Sequence, residues 1–228
     1  MSAEWFEGEL IGDNIITPSK PKPIIITDVE QGSDEWLELR CGNITGSRFS
    51  DIMSGGEGIT REKYKVQLAI ERITEKPVPM DFKSKAMIKG NEDEPLAREH
   101  YEFTNDVDTE QVAFVFHPTL KRAGASPDSL VGDDGLLEIK CPNATTHVNY
   151  LLTKKIPTIY LTQMQWQMAC SGRLWCDWMT YEKSMPIHLR SLVIRVYRDE
   201  KKIAEFESAA EKFNNEVNEL VKKLLGES

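Results

Sequence analysis

Residues 125–142 hold the pattern on which the interpretation of this chain depends. They read Ala-Ser-Pro-Asp-Ser-Leu-Val-Gly-Asp-Asp-Gly-Leu-Leu-Glu-Ile-Lys-Cys-Pro. The glycines and aspartates at 132–135 are typical of a turn that joins the two strands of a β-hairpin. Such a hairpin would place Asp128, on the first strand, alongside Glu138 on the second.

The second strand of this hairpin has one polar and one apolar face. Because side chains alternate along a strand, Glu138 and Lys140 point one way while Leu137 and Ile139 point into the core. We therefore expect Asp128, Glu138 and Lys140 to form a cluster of two carboxylates and one ammonium group that faces a wet site rather than the core.

This cluster suits metal-assisted cleavage of a phosphodiester. Carboxylate oxygens are natural ligands of Mg²⁺, which takes few protein ligands, and the backbone carbonyl of Ile139 offers a further oxygen. A bound metal ion lowers the pKa of its water and stabilises charge on the scissile phosphate, and Lys140 would orient or deprotonate that water. The competing interpretation is a surface hairpin with an ion pair between Glu138 and Lys140 or their neighbours.

Motifs in a particular order extend the pattern to most of the chain. Pro-Asp, nine residues and Glu-x-Lys, at 127–140, form the signature of the PD-(D/E)xK nuclease superfamily. The chain also resembles the phage lambda exonuclease group of viral recombination exonucleases. The motifs that carry this resemblance are Gly-Ser-Asp-Glu-Trp-Leu-Glu-Leu-Arg-Cys-Gly-Asn-Ile-Thr-Gly-Ser at 32–47, Ser-Pro-Asp-Ser-Leu at 126–130, Leu-Glu-Ile-Lys-Cys-Pro at 137–142 and Tyr-Leu-Thr-Gln-Met-Gln at 160–165.

The resemblance implies roles for five residues of a catalytic site. Asp128 and Glu138 match the family's metal-binding carboxylates, and Lys140 matches its catalytic lysine. Glu94 matches an acidic residue at the metal site, and Gln163 matches a glutamine that supports the site. For Glu94 the alternatives are a complement to a helix dipole or a surface charge, and for Gln163 an ordinary polar helix residue.

The resemblance also implies residues that hold the end of the DNA. Arg40 and Ser47 match residues that bind the terminal 5′-phosphate, and Met87 matches an apolar position that wedges into the end base pair. The alternatives are a surface salt bridge of Arg40 with Glu38 or Asp34, a helix N-cap at Ser47 and a core methionine at 87.

Taken together, the resemblance implies a Mg²⁺-dependent exonuclease that degrades the 5′-ended strand of duplex DNA and leaves a 3′ single strand for recombination. We expect Mn²⁺ to substitute for Mg²⁺ and Ca²⁺ to bind without turnover. Relatives form a ring of three subunits around DNA ends, and a single-strand annealing protein is the expected partner. Two alternatives are a structure- or sequence-specific endonuclease with the same core, and a non-catalytic, oligomeric DNA-end-binding module.

Length and composition indicate a soluble globular protein. The 228 residues, 40% hydrophobic and 29% charged, suffice for one large domain. We assign 24–228 to a single exonuclease domain and 1–23, rich in Pro, Lys and Gly, to an N-terminal arm. Without an apolar run of membrane-spanning length or a signal peptide, we expect a cytoplasmic protein of a bacterium or a phage-infected host and no membrane partner.

The net charge of -9 argues mildly against nucleic acid, whose affinity comes largely from phosphate neutralisation. Binding DNA therefore requires basic residues to be concentrated on one surface. The candidates are Arg40 and Arg48, Lys83, Lys85 and Lys89, Lys121 and Arg122, and Lys154 and Lys155. The four cysteines form no Cys-x-x-Cys pair, so we expect free thiols in the core.

Periodicity and capping residues predict an α/β chain with a mixed central sheet flanked by helices. The resemblance implies that this is the nuclease core of the restriction-endonuclease type. Ser33 is expected to cap one short helix and Ser47 another. Further helices are predicted at 62–75, 92–103, 160–171 and 201–225, and further strands at 112–116, 121–125, 174–181 and 189–197.

Two of these helices carry specific expectations. The helix at 62–75 should turn Val66, Ala69, Ile70 and Ile73 toward the core. The helix at 92–103 should hold Pro95 in its first turn, where a missing N–H is tolerated.

Overall fold

A computed structural model describes residues 22–54, 58–79 and 85–227, and only the backbone of 85–87. The predicted arm at 1–23 lies outside the described residues except for its last two positions. Within the described ranges, no helix is long and apolar enough to cross a membrane.

Helices and short strands come mostly in runs along the described chain. The helices are α1 Asp34–Arg40, α2 Phe49–Met53, α3 Ile59–Thr74, α4 Lys85–Asn105, α5 Ala144–Thr153, α6 Thr158–Ser171 and α7 Glu200–Leu225. The strands are β1 Ile25–Ile26, β2 Thr109–Glu110, β3 Phe114–Phe116, β4 Gly124–Ala125, β5 Ser129–Val131, β6 Gly135–Lys140, β7 Trp175–Tyr181 and β8 Ser191–Tyr197. Two 3₁₀ turns lie at Gly46–Arg48 and Ile187–Leu189.

The larger sheet is mixed, as predicted. Its strands follow the order β2-β5-β6-β7-β8. The central strands β6 and β7 run parallel to each other, and the other neighbouring pairs are antiparallel. The predicted strands at 112–116 and 121–125 shorten to β3 and β4. With β1 they form a separate three-stranded sheet in the order β1-β3-β4.

Helices cover both faces of the central sheet. On one face, Trp166 of α6 belongs to the same apolar cluster as Leu136 of β6. On the other face, Tyr101 of α4 packs with Leu137. Because side chains alternate along a strand, Glu138 shares the α6 face with Leu136. The polar face of β6 is therefore covered by a helix.

Several predicted elements agree with the structure to within two residues. These are α6, β7, β8 and α7. Ser33 caps α1 as predicted, because its Oγ accepts a hydrogen bond of 3.1 Å from the backbone N–H of Trp36. The short strands β1 and β2 and the helix α5 were not predicted.

The predicted core face of α3 is wrong. Val66, Ile70 and Ile73 are 41%, 42% and 36% exposed, and of the four predicted residues only Ala69 is buried. The helix instead buries Tyr64 and Glu71 along with Leu68 and Ala69. Polar contacts explain this choice: the Tyr64 hydroxyl accepts from the N–H of Thr45, and the Glu71 carboxylate accepts from the N–H of Gly42.

Helix α4 begins earlier than predicted. It starts at Lys85, seven positions before the predicted start at 92, so that Pro95 lies inside the helix. A proline within a helix removes one backbone hydrogen bond, which is why the sequence favoured a boundary there. Packing of Ala97 and Tyr101 against the sheet offsets that loss.

All four cysteines are free thiols, as predicted, but only two of them lie in the core, where all four were expected. Cys170 and Cys176 are buried, whereas Cys41 and Cys141 are half-buried. Burial raises the pKa of Cys170 and Cys176 well above the usual thiol value and that of Cys141 to about 12. Cys170 and Cys176 belong to one apolar cluster of the core, and Cys141 packs against the other.

Candidate active site

The predicted hairpin forms and brings the motif carboxylates together. In the antiparallel pairing of β5 and β6, Ser129 lies opposite Leu137, so Asp128 lies one position beyond, next to Glu138. The Asp128 Oδ2 accepts a hydrogen bond of 2.6 Å from the backbone N–H of Ile139. The Asp128 carboxylate is thus anchored to the strand that carries Glu138.

Glu138 is fully buried, which corrects the expectation of a wet face on β6. Its Oε1 accepts hydrogen bonds from Lys140 Nζ and, at 2.7 Å, from Gln163 Nε2. Its Oε2 accepts from Gln167 Nε2 at 2.6 Å. A carboxylate is costly to bury unless its oxygens are bonded, and these three donors from β6 and α6 satisfy it.

Lys140 lies at the edge of the site, with its side chain 25% exposed. Its Nζ is 5.2 Å from the centroid of the Tyr160 ring. Burial lowers the pKa of Lys140, but the negative charges of Glu138 and Asp128 outweigh burial and hold that pKa above its usual value. Lys140 is therefore a charged hydrogen-bond donor in this arrangement.

Glu94 extends toward the motif from α4. Its Oε1 pairs with Nη2 of Arg98, which also lies 3.4 Å from the backbone carbonyl oxygen of Asp128. The Nε of Arg98 donates to Ser129 Oγ at 2.9 Å. Arg98 thus ties the carboxylate of Glu94 to the strand that begins beside Asp128.

Negative charge accumulates where these elements meet. Burial raises the pKa of Asp128 well above its usual value, and the charges of Glu138 and Glu94 raise it further. A divalent cation would relieve this repulsion, and Mg²⁺ needs only one or two protein carboxylates. Among the described residues no three His, Cys, Asp or Glu side chains form a metal-binding group. The residues that could hold Mg²⁺ are therefore the two carboxylates Asp128 and Glu138, together with the backbone carbonyl of Ile139.

Arg40 is half-buried and held by neutral partners. Its Nη1 donates to Ser126 Oγ at 3.0 Å and its Nη2 to Ser47 Oγ at 3.1 Å. The guanidinium carbon lies 4.2 Å from the centroid of the Trp36 ring. Burial lowers the pKa of Arg40 to about 10, so the group stays charged at neutral pH. In the described structure neither Glu38 nor Asp34 pairs with it.

Ser47 is not the helix N-cap that the sequence suggested. It lies in the 3₁₀ turn Gly46–Arg48, which precedes α2. A Cβ placed on Gly46 would be 3.6 Å from the Cγ atoms of both Gln163 and Gln167. The backbone of this turn therefore lies directly against the glutamines of α6.

The remaining predicted site residue, Met87, belongs to α4 by its backbone. Its side chain lies outside the described residues. The wedge role predicted for it stays a prediction.

Three contributors were absent from the predicted site: Gln167, Arg98 and Ser126. Gln167 carried a signal, because it follows Gln163 by four positions and so lies on the same helix face. Ser126 was visible inside the motif at 126–130. Arg98 carried no signal, since its contact with the hairpin depends on how α4 packs on the sheet.

The structure combines a mixed sheet covered by helices on both faces with two carboxylates and a lysine at the β5–β6 hairpin. This combination is that of a nuclease. Solved structures agree. The chain is 38% identical to an alkaline exonuclease (LHK-Exo) from Laribacter hongkongensis, with a TM-score of 0.79 over 84% of this chain and 96% of that chain. The same values apply to LHK-Exo in complex with dAMP.

The chain belongs to the YqaJ-like viral recombinase family, whose model matches residues 35–174. This confirms the resemblance to viral recombination exonucleases. A phage-related exonuclease from Haemophilus somnus 129PT shares the fold, with a TM-score of 0.65 at 14% identity over 80% of this chain and 96% of that chain. No curated protein matched the sequence.

Proposed function

We propose that this protein is a Mg²⁺-dependent DNA exonuclease that degrades the 5′-ended strand of a duplex and leaves a 3′ single strand for recombination. The observation that carries this proposal is the cluster of Asp128, which directly precedes β5, with Glu138 and Lys140 of β6. Homology to an alkaline exonuclease supports the class of reaction.

Asp128, Glu138 and the Ile139 carbonyl would hold the metal ion, with Glu94 and Arg98 beside them. When bound, the ion would activate a water molecule and stabilise charge on the scissile phosphate. Lys140, kept cationic by its two acidic neighbours, would donate a hydrogen bond to that water or to a phosphate oxygen. Glu138 is held in one orientation by its donors from α6.

Arg40 supports the proposal that the 5′-ended strand is the one degraded. Its fork of N–H groups donates to two serine hydroxyls and forms no ion pair with a carboxylate among the described residues. An arginine fork matches phosphate oxygens, and Ser47 adds a hydroxyl. Since Ser126 lies two residues before Asp128, a phosphate bound by Arg40 would lie near the catalytic cluster.

The decisive experiment uses linear duplexes labelled at either the 5′ or the 3′ end. With Mg²⁺ or Mn²⁺ we expect early release of the 5′ label and retention of the 3′ label, and with Ca²⁺ we expect no cleavage. Lys140→Met is the inactive control. Early loss of the 3′ label would reverse the polarity, and cleavage of closed circular DNA would indicate an endonuclease instead.

A further inference from the structure

Helix α6 carries three glutamines on one stretch, Gln163, Gln165 and Gln167, and they contact different partners. Gln163 and Gln167 both donate to Glu138. Gln165 points elsewhere: its Nε2 donates to the Tyr197 carbonyl at 2.8 Å, and its Oε1 accepts from the Asp199 N–H at 3.0 Å. Gln163 and Gln167 therefore contact the site, whereas Gln165 on the same helix does not and can serve as an internal control.

Gln167 contributes differently from Gln163. Glu138 Oε1 has two donors, Lys140 and Gln163, whereas among the described residues Gln167 is the sole donor to Oε2. Gln167 is 1% exposed, so no solvent molecule readily replaces it. Its loss would leave one oxygen of a buried carboxylate without a donor.

The surroundings of Gln167 fix which end of its amide meets Glu138. A carboxylate oxygen accepts hydrogen bonds, so the NH₂ group must face it. Among the described residues, the other end, Oε1, has only a 4.0 Å contact from the Cys176 thiol, and the stem lies against Gly46. The strong polar contact of this side chain is therefore the one to Glu138.

We propose that Gln167 is a positioning residue that fixes the carboxylate plane of Glu138 for metal binding. This inference rests on the proposed function. With donors on both oxygens, one from β6 and two from α6, rotation of the carboxylate is blocked. Partners that orient metal ligands typically change metal affinity or activity by about 10- to 100-fold when removed.

Gln167→Met keeps the length of the side chain and removes the donor, and Gln165→Met is the matched control. Gln165 is buried to 4% exposure on the same helix and does not contact Glu138. We expect Gln167→Met to weaken Ca²⁺ binding by the protein without DNA, measured by titration calorimetry, by about 10-fold or more. Its kcat with Mg²⁺ should fall by a similar factor while its KM for duplex DNA stays unchanged.

Gln165→Met should lose thermal stability without a change in either quantity. If Gln167→Met fails to fold, Gln167→Asn keeps the amide but is too short to reach Oε2, and it should show the same loss of Ca²⁺ affinity. Wild-type Ca²⁺ affinity and kcat in a folded Gln167 variant would overturn this role alone. Absence of cleavage by the wild-type protein would instead contradict the proposed function.

Discussion

Burial of the Glu138 carboxylate determines which side chains must surround it in the catalytic cluster. Glu138 has no exposed surface, and an isolated charge in that position would be strongly unfavourable. Three side-chain donors make the ionised form acceptable. Truncation to alanine would therefore open a cavity and leave the Lys140 ammonium facing Asp128 alone, so an isosteric change is the sharper test.

Glu138→Gln and Lys140→Met should each abolish cleavage while the protein stays folded. Loss of a positioned group that handles a proton or a ligand commonly costs about 100-fold or more in rate. Initial rates on a linear duplex with Mg²⁺, together with circular dichroism melts, test this. Near-wild-type turnover by either variant would exclude the assigned site.

Arg40 should account for a preference for duplexes with a 5′-phosphate over a 5′-hydroxyl. Arg40→Ala should reduce that ratio by about 10-fold, in line with the loss of one charge-assisted contact, and Arg40→Lys should restore only part of it because the fork is lost. Arg48→Ala is the control, since Arg48 is already paired with Asp51. An unchanged ratio in Arg40→Ala would sink the assignment.

At the scale of elements, α3 and α7 are joined by a bidentate ion pair. Arg61 Nη1 and Nη2 lie 2.8 and 2.9 Å from the two carboxylate oxygens of Glu216, and the Arg61 guanidinium lies over the Phe213 ring. The hydrogen bond with Arg61 lowers the pKa of Glu216, although burial opposes it. The pair therefore contributes stability in the ionised state of Glu216.

The sign of the pH dependence follows from that lowered pKa. Stability from the pair is fully present above the unfolded-state pKa of glutamate and is lost as the pH falls through the folded-state pKa of Glu216. Glu216→Gln should cost about 0.5–1 kcal/mol at neutral pH and progressively less in acid. Thermal melts across pH, with the exposed Glu219→Gln as control, measure it, and a gap between wild type and Glu216→Gln that does not depend on pH would contradict the assignment.

How far the sequence could predict the structure also differs between elements. Strand alternation and the Gly/Asp turn were enough to place Asp128 beside Glu138, because both signals are local. Nothing in the alternation of β6 could show that α6 covers its polar face, since that depends on packing between distant segments. Periodicity likewise misassigned α3, where the buried polar contacts of Tyr64 and Glu71 override the apolar stripe.

At the scale of the whole molecule, the net charge of -9 must be reconciled with a DNA substrate. A ring of three subunits would repeat one basic surface around an axis and turn the acidic remainder outward. We expect a homotrimer whose DNA binding weakens steeply with salt. Sedimentation should give about three times the 26.0 kDa chain mass.

Digestion by such a ring should also be processive. An excess of unlabelled trap DNA, added after the start, should not stop the digestion of a long labelled duplex. A monomeric mass together with digestion that the trap halts would defeat the ring and leave the nuclease assignment untouched.

The contact of Gly46 with the α6 glutamines has one more consequence. The turn that carries Ser47 and the carboxylate of Glu138 both contact helix α6. We therefore expect the distance between the turn and the carboxylate to stay constant. If the end of a DNA strand binds at that turn, each cut should remove the same number of nucleotides, whatever the base sequence. Mass spectrometry of the released pieces should then show one uniform length from start to finish.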